Sequence, residues 1–131
     1  MTDTFSIKSS QTDRELVFFN SESSDYFSVK LLGSVITDLR VYAYSPHQND
    51  LESWFTELSN QSGPWKNTLS WRSLEGEFEI SATCSNLGGV SFDITLDMER
   101  LTGEDTIIKT SISTELGVLK SLGSKARGFF K

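Results

Sequence analysis

At 131 residues the chain is long enough to bury about two thirds of its unfolded surface in one core and short for two, which predicts a single domain over 1–131. A hydrophobic fraction of 37% with a charged fraction of 23% is that of a folded chain rather than a disordered one. The formal net charge of −6 repels phosphate backbones and anionic lipid heads, which argues against nucleic acid or a membrane as direct partner and favours a basic protein.

Cys84 is the one cysteine, so no intramolecular disulfide and no cysteine-rich metal site can form. The segment Met1–Glu15 has no basic stretch followed by an apolar run. No segment approaches the ~20 apolar residues that span a bilayer. A reducing cytoplasm is the expected setting.

In chain order, Phe5–Lys8 predicts a short strand and Glu15–Asn20 a second, closed by the turn-forming run to Asp25. Tyr26–Leu32 alternates, with Phe27, Val29 and Leu31 inward, and Gly33 permits a reversal. Ser34–Tyr44 alternates again, Leu39 and Val41 against Arg40 and Tyr42, with a bulge expected near Thr37 and Asp38. Pro46 then ends the strand. Asn49 stands three positions before Glu52, the spacing of a capping box, and Leu51, Trp54, Phe55 and Leu58 make one helical stripe that Gly63 and Pro64 close.

Leu69–Leu96 predicts a three-stranded meander. Leu69, Trp71, Phe78, Ile80, Ala82, Cys84, Val90, Phe92, Ile94 and Leu96 hold one face, and Ser70, Arg72, Glu79, Ser81, Thr83, Ser91, Asp93 and Thr95 the other. Glu75-Gly76 and Leu87-Gly88-Gly89 supply its turns. A turn around Gly103, a strand over Thr106–Ile112 and a helix over Glu115–Phe130, capped by Ser113 or Thr114, complete the chain. The fold class is therefore α+β: an antiparallel sheet of about six to eight strands with two helices on one face, in two layers.

The residues do not assemble a catalytic centre. His47, the only histidine, sits in a strand-to-helix connection, whereas Cys84 falls on an inward register, where a thiol is an inert small apolar group. Glu75, Glu77 and Glu79 alternate, as do Asp93, Asp97 and Glu99, but no Asp-x-Asp-x-Asp-Gly loop gathers oxygens for a metal, and a solvated acidic face is the reading. Neither glycine turn opens a helix with a Lys-Ser/Thr pair, so no phosphate cradle is expected there. Trp54 and Trp71 fall on core stripes, while Trp65 lies in a loop. No enzyme, cofactor or metal is predicted. The uncovered sheet face remains, and its tyrosine, arginine and carboxylate content suits a protein contact. Asp38, Arg40, Tyr42, Tyr44, Arg72, Glu79 and Asp93 are the candidate partner-binding residues.

The helix Leu51-x-x-Trp54-Phe55-x-x-Leu58, the Pro64-Trp65 step, Trp71-Arg72-Ser73-Leu74-Glu75-Gly76-Glu77, Gly88-Gly89-Val90 and Phe129-Phe130 resemble a family of small bacterial proteins of unknown function. In that family a Trp-x-Ser-x-Glu-Gly segment precedes two strands and a helix closes the chain. The likeness covers roughly residues 29–131 and rests on core and turn positions. Where such proteins often carry Gly-His-Val, this chain has Gly88-Gly89-Val90, which removes any role for a histidine there. Small acidic proteins of this kind also resemble the immunity partners of bacterial polymorphic toxins. That resemblance implies an inhibitor that covers the active site of a cognate, basic toxin. The alternative expectation is a small-molecule or carbohydrate-binding domain using Trp65, Tyr42, Tyr44 and nearby carboxylates.

Overall fold

The computed structural model describes residues 4–20, 26–33, 37–42, 50–98 and 106–130. The chain is α+β, with strands β1 (Thr4–Lys8), β2 (Glu15–Asn20), β3 (Tyr26–Leu32) and β4 (Thr37–Tyr42), helix α1 (Leu51–Ser59), strands β5 (Leu69–Arg72), β6 (Phe78–Cys84), β7 (Gly89–Asp97) and β8 (Ile107–Glu115), a 3-10 turn (Leu116–Val118) and helix α2 (Leu119–Phe129). The turn residues 21–25, the connection carrying Pro46, His47 and Asn49, and the turn around Gly103 lie outside the described residues.

The one large sheet expected from the alternation is instead two antiparallel sheets of four strands, ordered β1-β2-β3-β4 and β5-β6-β7-β8. Alternation reports which way side chains point and says nothing of which strand lies beside which. The helical excursion after β4 separates the two meanders. They meet where the connection between β1 and β2 reaches β8: the Ser10 N–H donates to the Ser113 carbonyl at 2.8 Å and the Arg14 guanidinium donates to the Ser111 carbonyl at 2.8 Å. The β3–β4 register runs residue for residue through Lys30↔Asp38 and Leu31↔Thr37, so the expected bulge is not there.

Both sheets turn their apolar faces to one core, shared with the stripes of both helices. Aromatic rings join the parts. Phe78 of β6 lies 6.0 Å from Phe18 of β2 and 6.4 Å from Phe27 of β3, so the two inner faces touch directly. Phe55 of α1 packs edge-on against Phe5 and Phe18, while Trp54 meets Phe92 of β7. Such edge-to-face contacts add ~0.5–1.5 kcal/mol each beyond area burial.

α1 begins one residue later than the Asn49–Glu52 spacing predicts. Asp50 is the cap, its carboxylate accepting from the Ser53 N–H at 2.8 Å. The helix closes at Ser59, before Gly63 and Pro64. α2 is also shorter than expected. β8 stays extended to Glu115, paired with Gly89, and the Leu116 N–H donates to the Gly88 carbonyl at 2.9 Å, so Ser113 and Thr114 are strand residues and cap nothing. Gly123 of α2 is a site of close approach rather than a defect: a Cβ there would stand 2.5 Å from Ser59 Cβ and 3.2 Å from the Phe55 carbonyl oxygen of α1.

Candidate interaction surface

The predicted contact residues that lie in described strands divide between the two sheets. Asp38, Arg40 and Tyr42 belong to β4 of the first sheet, and Arg72, Glu79 and Asp93 to β5, β6 and β7 of the second. Because both sheets direct their inner faces to a common core, their outer faces point away from it and do not form the single bare layer that was expected. Tyr44 lies outside the described residues.

On the first sheet, the outward registers of β3 and β4 place Tyr26 opposite Tyr42 and Ser28 opposite Arg40. The two tyrosine rings stand 5.3 Å apart, and the Arg40 guanidinium lies 4.2 Å above the Tyr26 ring. A cation over an aromatic face is attracted by the ring quadrupole, and the stack holds a long side chain in one place. The same transverse row continues through Ser28 to Phe19 of β2, and Val17 of that strand shares the face; both are half-buried. This face therefore presents two phenols, a phenyl ring, a branched aliphatic and an arginine. Asp38 stands opposite Lys30 in the β3–β4 register.

The second sheet's outer face is of a different kind. Arg72 and Glu79 are cross-strand partners with nitrogen and oxygen 3.8 Å apart, both more than half exposed. Asp93 accepts from the Ser111 hydroxyl at 2.6 Å. Ser81, Thr83, Ser91 and Thr95 take further outward positions of β6 and β7, and β8 adds Lys109 and the exposed Ile107. Arg72, Glu79 and Asp93 are thus matched within the sheet, and the hydroxyls around them are solvated by water as well as by a partner.

Glu77 departs from the expected acidic row: Glu75 and Glu79 are exposed, but Glu77 is 5% exposed. It belongs to the β5–β6 turn, where period-two alternation does not apply. The Ser73 hydroxyl donates to the Glu77 carboxylate and accepts from the Phe78 N–H at 3.0 Å. Gly76 makes this turn with φ of +79°, a conformation that glycine adopts without penalty. The Ser, Gly and final Glu of Trp71-Arg72-Ser73-Leu74-Glu75-Gly76-Glu77 thus build one turn with a buried carboxylate.

Trp54 and Trp71 are core residues, and Trp65 packs partly buried against the same core. The indole N–H groups of Trp54 and Trp65 are buried without an acceptor among the described residues. Cys84 is half-buried at the end of β6, its thiol donating to the Ser85 carbonyl at 3.4 Å. Among the described residues no three His, Cys, Asp or Glu side chains converge on a point that could hold a metal ion. No described helix is long and apolar enough to cross a membrane.

Tyr26, Phe19 and Val17 are outward residues that the sequence pattern does not single out. For Tyr26 the signal is there, since Phe27 inward puts Tyr26 outward. The run Leu16-Val17-Phe18-Phe19 is apolar at every position, so alternation could not say which pair faces water.

The chain has no match among curated proteins. Residues 7–131 match the model described as a family of unknown function, DUF6228, and the chain belongs to that family.

Proposed function

We propose that the protein is a non-enzymatic, cytoplasmic immunity-type protein of bacterial origin that binds and neutralises a cognate basic toxin by covering its active site, using the outer face of β2–β4. The observation that carries this reading is the ring and guanidinium stack of Tyr26, Tyr42 and Arg40 beside Phe19. Tyrosine and arginine are the residues in which binding energy concentrates at protein interfaces, and holding them in place beforehand lowers the entropy lost on association. The net charge of −6 supplies a long-range field that speeds encounter with a basic partner and weakens as salt is added.

The reading is tested by co-expressing the chain with the product of the adjacent gene. Growth should be restored and the two proteins should co-purify. Tyr42→Ala and Arg40→Ala should each weaken the complex by roughly ten- to a hundredfold, the range of hot-spot losses. Asp93→Ala, on the other sheet, should leave affinity within about twofold. A chain that neither binds that product nor protects against it defeats the proposal, and loss of affinity confined to the Asp93 variant defeats the choice of face.

A further inference from the structure

A second feature lies away from that face. The connection between β1 and β2 meets β8 at Ser10 and Ser113, and the start of α2 lies beside β1 and the end of β8. The result is a cleft of about 360 Å³ bounded by Ser6 and Lys8 of β1, Thr114 of β8, and Val118, Ser121 and Lys125 around the start of α2. That volume is within the range of small-ligand sites.

Its chemistry runs against the charge of the whole chain. Lys8 and Lys125 are exposed and form no ion pair among the described residues, although Lys8 stands opposite Glu15 in the β1–β2 register. Thr114 is 7% exposed, and its hydroxyl has no hydrogen-bond partner among the described residues. A hydroxyl so deeply placed is normally satisfied within the protein; here its residual access is to the cleft. α2 begins without a side-chain cap and with no acidic residue in its first turn, although Glu115 stands at the start of the 3-10 turn that leads into it.

We infer that this cleft binds the phosphate group of a small phosphomonoester. Lys8 and Lys125 supply two ammonium groups for a group that carries about two negative charges at neutral pH. Ser6, Thr114 and Ser121 supply hydroxyl donors to its oxygens. Val118, 44% exposed at the rim, offers an apolar contact for the organic part of the ester. The site is independent of the toxin-binding reading, since it shares none of the residues Phe19, Tyr26, Arg40 and Tyr42.

The test is an NMR titration of the full chain with phenyl phosphate, inorganic phosphate and benzoate at constant ionic strength. Phenyl phosphate should produce saturable shifts of the amides of Ser6, Lys8, Thr114, Val118 and Ser121, and should bind more tightly than inorganic phosphate. Lys8→Gln and Lys125→Gln are surface changes that leave the fold intact, and each should weaken binding about tenfold, the loss of one charge-assisted contact. Lys109→Gln, which changes net charge equally on the outer face of β8, should have no effect. Thr114→Val, close to isosteric, should also weaken binding. Shifts that do not saturate, or that Lys109→Gln reduces as much as Lys125→Gln does, overturn the site. Benzoate binding as well as phenyl phosphate overturns the assignment to phosphate.

Discussion

The two sheets are alike inward and unlike outward. Inward, both contribute aromatic and aliphatic residues to one core, and Phe78 of the second sheet touches Phe18 and Phe27 of the first. Outward, the first carries Tyr26, Tyr42, Arg40 and Phe19, while the second carries hydroxyls with an Arg72–Glu79 pair and an Asp93–Ser111 hydrogen bond. The inner faces answer to a single packing requirement, whereas each outer face is free to take its own chemistry. The second face pairs Arg72 with Glu79 and Asp93 with Ser111, whereas the first offers rigid aromatic area that water solvates less well.

The inner half of this comparison breaks most visibly at Phe78, which is fully buried between the sheets. Phe78→Ala should cost about 3–5 kcal/mol, read as a lower urea midpoint with one cooperative transition. Two separate transitions would show that the sheets unfold independently. A smaller loss is expected where the helices meet. Gly123→Ala forces a Cβ against Ser59 and the Phe55 carbonyl, at a cost of about 1–3 kcal/mol. Adding Ser59→Gly should recover part of that loss, and no recovery would place the strain elsewhere. The outer half is sharpened by a double-mutant cycle on Arg72 and Glu79. With both side chains more than half exposed, their coupling should stay within ~0.5 kcal/mol and fade in high salt. A coupling well above that would mean the second sheet's outer face is more than a solvated surface.

Much of this fold was legible in the residues. β2 and β3 have the bounds that their composition predicts, and the inward rows Phe27-Val29-Leu31, Phe78-Ile80-Ala82 and Val90-Phe92-Ile94-Leu96 are all buried. The stripe of α1 is buried at each of Leu51, Trp54, Phe55 and Leu58. These succeed because alternation and helical spacing are local consequences of backbone geometry. The candidate surface was only partly legible. Arg40 and Tyr42 are outward as expected, but the grouping with Arg72, Glu79 and Asp93 assumed one sheet. Glu77 was misplaced because a turn obeys no period. The cleft between β1, β8 and α2 joins Lys8 to Lys125, which nothing local in the chain relates.

Secondary structure, the inward and outward assignment of most strand residues, and the acidity of the chain follow from the order of amino acids alone, since each depends on near neighbours or on composition. Which strands pair, that the meanders form two sheets around one core, and which outward residues share a surface depend on contacts between segments distant along the chain. Those contacts are selected by how the whole set of apolar faces closes against itself, and no short stretch carries that information.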